Sequence, residues 1–125
     1  MGVQIRRAYV DPGPEDGYRV LVDRLWRRGR TKASEHLDAW AKELGPSTEL
    51  REWFGHEPER WPEFQRRYRT ELTSADRAAL LDDLVARART GMLTLVYGAR
   101  DEERNEAAVI AEEIARRLAR ASSNE

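Results

Sequence analysis

Two apolar runs, far apart in the chain, constrain the fold more than any other feature of the sequence. Residues 18–25 read YRVLVDRL, a nearly continuous apolar run typical of a strand buried on both faces, and residues 92–99 read MLTLVYGA. The chain between them carries helical periodicity, so the second strand is reached through a crossover. Because crossovers join parallel strands, we predict that residues 19–24 and 92–98 pair in parallel.

These elements predict an α/β fold. Residues 3–10, VQIRRAYV, alternate as a half-buried strand does. We therefore expect a single compact domain over residues 1–121, with a frayed tail at 122–125. Its sheet would be small, about three-stranded and partly parallel, and flanked by several helices.

Helical spacing of apolar residues places the helices. We predict helices over 35–44 and 47–55, a third beginning near Glu59, and a fourth after a capping box formed by Thr73 and Asp76. The last helix is expected to follow Asp101 as its N-cap. In this interpretation Trp40 and Trp61 are core residues.

Composition excludes several classes of function. The chain has no cysteine, which excludes disulfides, thiolate metal sites and a cysteine nucleophile. Its two histidines lie in no metal-binding spacing, and it contains neither a P-loop nor G-x-G-x-x-G, so no cofactor is predicted. A net charge of −1 disfavours a general duplex-DNA binder. No signal peptide or membrane span is recognisable, which predicts a cytoplasmic protein without a membrane partner.

Charged residues follow both buried strands at the point where each ends. Asp23 and Arg24 end the first, and Arg100 and Asp101 end the second. Because ligands in open α/β sheets bind beyond the carboxyl ends of the strands, we predict that these four side chains converge on one edge of the sheet.

A dense basic run continues from Arg24 through Arg28 to Lys32 around Trp26. Guanidinium groups match phosphates and carboxylates, whereas charge runs of this kind are more often solvated surfaces. Trp26 is open to packing, cation–π stacking or ligand stacking. His56, after a glycine that ends a helix, is a candidate acid–base residue, and Ser47 most simply caps the helix after it.

Three phrases together resemble the YeaO-like domain-of-unknown-function family of small bacterial proteins: RVLVDRLWRRG, LDAWAKELGPSTELREWFGHEPERWPEFQRRYRTEL and LTLVYGARDEERNEAAVI. The resemblance covers about residues 3–118 and implies a compact bacterial α/β domain without naming an activity. Two positions depart from the family pattern. Arg27 replaces a proline in LWPRG, and Glu106 replaces the histidine of N-H-A.

The leading functional hypothesis is a domain that binds an anionic small molecule, carrying phosphate or carboxylate, at the carboxyl ends of its strands. Whether it is also an enzyme stays open at this point. Asp23 and His56 are the candidate catalytic residues. The candidate ligand-binding residues are Arg24, Trp26, Arg28, Ser47, Arg51, Tyr97 and Asp101.

Two alternatives remain open. A non-catalytic module could bind single-stranded nucleic acid or a partner protein through Trp26 and the neighbouring arginines, although the net charge argues against nucleic acid. The charged residues could instead form an internal network, in which Asp23 pairs with Arg24, Arg28 or Arg51, because structural ion-pair networks resemble active sites in sequence.

Overall fold

The architecture was obtained as a computed structural model that describes residues 2–8, 12–24 and 36–123, with side chains as far as residue 120. Within these ranges the small α/β domain has three strands followed by three α-helices, then a fourth strand and a last α-helix. The strands are β1 (Gly2–Arg7), β2 (Tyr18–Leu21), β3 (Ala39–Trp40) and β4 (Met92–Tyr97). The α-helices are α1 (Thr48–Phe54), α2 (Trp61–Glu71), α3 (Ala75–Thr90) and α4 (Glu106–Ser123), and short 3-10 helices span Lys42–Leu44 and Pro58–Arg60.

All described strand pairs are parallel, in the order β1-β4-β2-β3. The register aligns Val20 of β2 with Leu95 of β4, so the predicted parallel pairing of these two strands is confirmed. Val22 continues the ladder one step further by donating its N–H to the carbonyl of Val96, 3.0 Å away. The carboxyl ends of β2 and β4 therefore lie side by side.

The predicted α/β class is confirmed, and the described sheet has four strands rather than about three. The prediction of a helix over residues 35–44 was wrong. Ala39 and Trp40 instead form a fourth strand beside β2, and only Lys42–Leu44 is helical, as a 3-10 turn. His36 has a positive φ of 55°, which a right-handed helix does not allow. Trp40 is 37% exposed rather than in the core, and its indole N–H donates to the carbonyl of Asp23, 2.8 Å away.

Two predicted helix starts also moved. Helix α3 begins at Ala75 without a side-chain cap, and the hydroxyl of Thr73 donates back to the carbonyl of Thr70. Helix α4 begins at Glu106 rather than just after Asp101, because the side-chain oxygen of Asn105 accepts the N–H of Ala108 at 2.9 Å. Asp101 caps the preceding turn instead.

The two faces of the sheet differ. One face carries the main core, in which Val20, Val22 and Leu95 pack with buried residues of all four α-helices, such as Ile110. The other face carries a small apolar cluster and a polar network around Asp16, with no described α-helix among the members of either. None of the described helices is both long enough and apolar enough to cross a membrane.

Arg24 fixes the loop before α1 against the end of β2. Its guanidinium donates to the carbonyl oxygens of Gly45, at 3.1 Å, and Pro46, at 2.9 Å. Gly45 permits this approach, because a Cβ atom at that position would lie 3.0 Å from the backbone nitrogen of Arg24. Helix α1 thereby starts directly above the strand ends.

Candidate functional site

A cavity of about 280 Å³ opens at the carboxyl ends of the strands. Its walls come from the segments after β2 and β4, the loop before α1, helices α1 and α2, and the first residue of α4. This is the place where α/β sheets of this kind hold their ligands. The lining residues are Asp23, Arg24, Pro46, Arg51, Phe54, His56, Phe64, Gly98, Ala99, Arg104, Asn105 and Glu106.

One wall of the cavity is aromatic. Phe54 and Phe64 stack with ring centroids 4.5 Å apart, and both are almost fully buried. Trp61 and Tyr68 extend this stack along α2, with centroids 5.5 Å and 5.6 Å from that of Phe64. Phe54, Phe64 and Tyr68 belong to the main core and Trp61 packs against it, so this wall of the cavity is apolar.

The floor of the cavity contains two carboxyl groups in contact. Asp23 Oδ2 accepts the backbone N–H of Gly98 at 2.9 Å, which ties the end of β2 to the end of β4. Asp23 Oδ1 is buried and receives no N–H hydrogen from any described residue. The carboxyl group of Glu106 lines the same cavity and lies within hydrogen-bonding reach of the Asp23 carboxyl group.

Two ionised carboxylates have no hydrogen to share, so this contact requires one proton. Burial of Glu106, followed by its hydrogen bond to Asp23 and the negative charge of Asp23, raises the pKa of Glu106 well above its usual value. The positive charge of Arg51 acts in the opposite direction. We therefore describe Asp23 and Glu106 as a carboxyl pair that holds one proton.

Arg51 is the cation that stands out in this cavity. It lies half-buried on α1, between the Ser47 cap and the aromatic wall. Within the described ranges its guanidinium makes no hydrogen bond and no ion pair. Arg24, by contrast, is engaged with two carbonyls, and Arg104 pairs with Asp101 at 3.3 Å.

His56 stands at the mouth of the cavity in an unusual backbone conformation. Gly55 and His56 both have positive φ, 53° and 60°, and Gly55 is the left-handed C-cap of α1. For a residue other than glycine this region is sparsely populated, although histidine enters it more readily than most. The turn directs the exposed imidazole beside Phe54, with ring centroids 6.4 Å apart.

The structure brings together four of the predicted site residues: Asp23, Arg24, Arg51 and His56 line the cavity. Trp26 and Arg28 lie outside the described residues, as do Arg27 and Arg30 of the alternative nucleic-acid surface. The internal-network alternative placed Asp23 against Arg24, Arg28 or Arg51, of which Arg28 lies outside the described residues. Among the described contacts the Asp23 carboxyl instead meets Gly98 and Glu106.

Three predicted ligand-binding residues lie outside the cavity lining. Ser47 caps α1 through a bond from Leu50 N–H, and its hydroxyl donates to Glu71 at 2.5 Å. Tyr97 is 2% exposed in the core, where burial raises the pKa of its hydroxyl. Asp101 accepts the N–H groups of Glu103 and Arg104, which hold its carboxyl pKa below the usual range. Arg100 is exposed outside the cavity as well.

Glu106 is the most informative residue that the sequence analysis missed. It was noted only as a departure from the N-H-A pattern. Its position as the first residue of a helix that follows a buried strand was the available signal, because such residues face the strand ends. Placing the start of the last helix at Asp101 hid that signal.

Fold and site together define a small parallel α/β domain with a ligand-sized cavity at the carboxyl ends of its strands. Residues 2–125 match the model of the DUF488-N3i family, described as the inactive DUF488-N3 subclade, and the chain belongs to this family.

The curated relatives cover nearly all of the chain. It is 41% identical over 113 residues to the uncharacterised protein YeaO of Escherichia coli, which covers 90% of this chain and 96% of YeaO. It is 43% identical over 110 residues to the uncharacterised proteins Rv3073c of Mycobacterium tuberculosis and Mb3100c of Mycobacterium bovis, covering 88% of this chain and 91% of each relative. These matches confirm the resemblance to YeaO-like proteins. No solved structure matches the chain significantly.

Proposed function

We propose that the protein binds a small organic anion, carrying a carboxylate or phosphate group, in the cavity at the strand ends. The observation that carries this proposal is Arg51, a half-buried guanidinium that lines the cavity and has no anionic partner among the described residues. A cation in a partly desolvated position is costly to maintain without a counter-charge. A ligand anion would supply that counter-charge, through two parallel hydrogen bonds.

The remaining walls fit the rest of such a ligand. Phe54 offers an apolar surface, and His56 at the mouth can donate a further hydrogen bond. The cavity volume of about 280 Å³ lies at the small end of the roughly 300–1,000 Å³ range of ligand pockets. A ligand of metabolite size is therefore expected rather than a polymer.

We propose binding without turnover. The description of the matching family as an inactive subclade supports this choice. In this proposal Asp23 shapes the site and holds a proton, and it does not attack or deprotonate a substrate. His56 orients the bound anion.

Thermal-shift measurements and isothermal titration against sulfate, phosphate, small mono- and dicarboxylates and phosphorylated metabolites test the proposal. We expect at least one anion class to bind. Arg51→Met keeps the length of the side chain and removes the charge, and it should weaken binding by about tenfold or more, the usual effect of losing a charge-assisted hydrogen bond.

The matched control is Arg66→Met. Arg66 lies on the exposed side of α2, where it pairs with Glu63 at 2.5 Å, and it does not line the cavity. This variant should bind the same anions as the wild type does. Failure of every anion to bind, or equal affinities for the Arg51 and Arg66 variants, would overturn the proposal.

A further inference from the structure

The carboxyl pair lies next to the cation that the proposed function assigns to the ligand. Glu106 and Arg51 line the same cavity, and the charge of Arg51 acts on Glu106. The two side chains nevertheless form no ion pair in this structure. The Glu106 carboxyl group instead lies against that of Asp23, and its raised pKa favours a proton shared by the two groups.

The alternative protonation state has a different set of contacts. Without the proton, Asp23 and Glu106 would repel each other, because two carboxylates in contact cannot both stay ionised without a counter-ion. Asp23 is held by Gly98, whereas Glu106 stands at the start of α4 beside the cavity. Glu106 would then turn towards Arg51, which lines the same cavity and whose charge acts on it.

We propose that the Asp23–Glu106 pair makes anion binding at Arg51 dependent on a proton. With the shared proton in place, Arg51 is available to the ligand. Without it, the Glu106 carboxylate competes with the ligand for the guanidinium. This inference rests on the proposed function. It implies that the anion binds while the Asp23–Glu106 pair keeps its proton and is released when the pair loses that proton.

Several other charged or titratable groups lie near the pair. From α2 the Tyr68 hydroxyl is close enough for Glu106 to influence its charge, and from β4 so is that of Tyr97. Both phenols have raised pKa values and remain neutral across the range of interest. Arg24 and Arg104 also line the cavity, where Arg24 donates to two carbonyls and Arg104 pairs with Asp101. His56 lines the cavity as well, so a variant without its imidazole serves as the control.

Sulfate is the probe for the test, because it keeps its full charge on both sides of neutrality, so any change of its affinity with pH arises in the protein. Its dissociation constant would be measured by following the Arg51 side-chain N–H signal by NMR at several pH values. We expect the constant to rise by about tenfold or more as the pair deprotonates. The His56→Gln variant should retain this dependence.

Two conservative variants of the pair should give opposite results. Glu106→Gln imitates the protonated acid, because its amide can donate to Asp23 Oδ1 and carries no charge. The dissociation constant of sulfate should then no longer change with pH, unlike that of the wild type. Asp23→Asn can donate to Glu106 without a shared proton and removes the negative charge that raises the pKa of Glu106, so sulfate binding should weaken at a lower pH than in the wild type.

The outcomes separate this inference from the proposed function. Sulfate binding that depends on Arg51 but not on pH would overturn the inference alone, whereas absence of binding at every pH would overturn both. A pH dependence that persists in Glu106→Gln, or that disappears in His56→Gln, would also contradict it. If Asp23→Asn does not fold, as judged by its unfolding transition, the Glu106→Gln result decides.

Discussion

Two charged clusters of this domain use the same residue types in opposite ways. On the sheet face opposite the main core, Asp16 and Arg19 are 2% and 4% exposed and form an ion pair at 2.5 Å. The carboxylate of Asp16 also accepts from Gln4 and from the N–H of Gly13, both at 3.2 Å, and its carbonyl accepts from Thr94. In the cavity, Arg51 has no described partner, and the two acids meet each other.

The difference separates a structural network from a candidate binding site. Around Asp16 each charge is buried together with its opposite, which is the arrangement that makes a buried ion tolerable. In the cavity, by contrast, Arg51 has no described anionic partner, and Asp23 and Glu106 have no described cation paired with them. A ligand could form the hydrogen bonds that these groups lack. The two clusters should therefore respond differently to substitution.

The largest effect is expected from Asp16→Ala. This substitution removes the carboxylate from Arg19 while leaving the guanidinium buried, and breaking a buried pair from one side costs about 3–5 kcal/mol. The free energy of unfolding from urea denaturation should fall by that amount. A decrease in the free energy of unfolding below about 1 kcal/mol, which is typical of an exposed ion pair, would show that the Asp16 cluster is not a structural network.

The pH dependence of stability should have opposite signs in the two clusters. Burial alone would raise the pKa of the Asp16 carboxyl, but the hydrogen bond from Gly13 and the contacts with Arg19 outweigh it and lower this pKa. Asp16 therefore stabilises the folded state above about pH 3.9, and this stabilisation is lost as the pH falls through the folded pKa. Glu106 has a raised pKa, so the folded state holds a proton that the unfolded state releases above about pH 4.3. Its contribution therefore declines as pH rises from there to the folded pKa.

Urea titrations at a series of pH values would measure both effects, the loss of stability towards acid and the decline of stability as the pH rises. Relative to wild type, Asp16→Asn should make the free energy of unfolding depend less on pH in the acid range. Glu106→Gln should reduce the decline of that free energy above about pH 4.3, by at most about 1.4 kcal/mol per pH unit for one proton. Comparison with wild type is needed because Glu63, Asp101 and Glu113 also have lowered pKa values. A Glu106→Gln profile parallel to that of the wild type would contradict the shared proton.

The sequence predicted the strands that position the site better than the contacts of the side chains within it. The apolar runs and the crossover were enough to place β2 beside β4 in parallel, and therefore Asp23 and Arg24 at the right edge of the sheet. The role of Arg24 was out of reach, because the carbonyls it binds belong to Gly45 and Pro46, and only tertiary structure brings them there. The helix predicted over residues 35–44 was wrong for a similar reason, because the pairing of Ala39 and Trp40 with β2 overrides the helical spacing of the apolar residues.

The smallest effect on stability is expected from Arg51→Met, the variant that should lose anion binding. Arg51 is half-buried, and its guanidinium makes no described hydrogen bond or ion pair, so removing it breaks no contact and relieves a partly desolvated charge. The methionine side chain keeps apolar contact along the stem. We expect the free energy of unfolding to stay within about 1 kcal/mol of wild type, in contrast to Asp16→Ala. A loss of about 3 kcal/mol or more in urea denaturation would instead assign Arg51 to a structural network like that of Arg19.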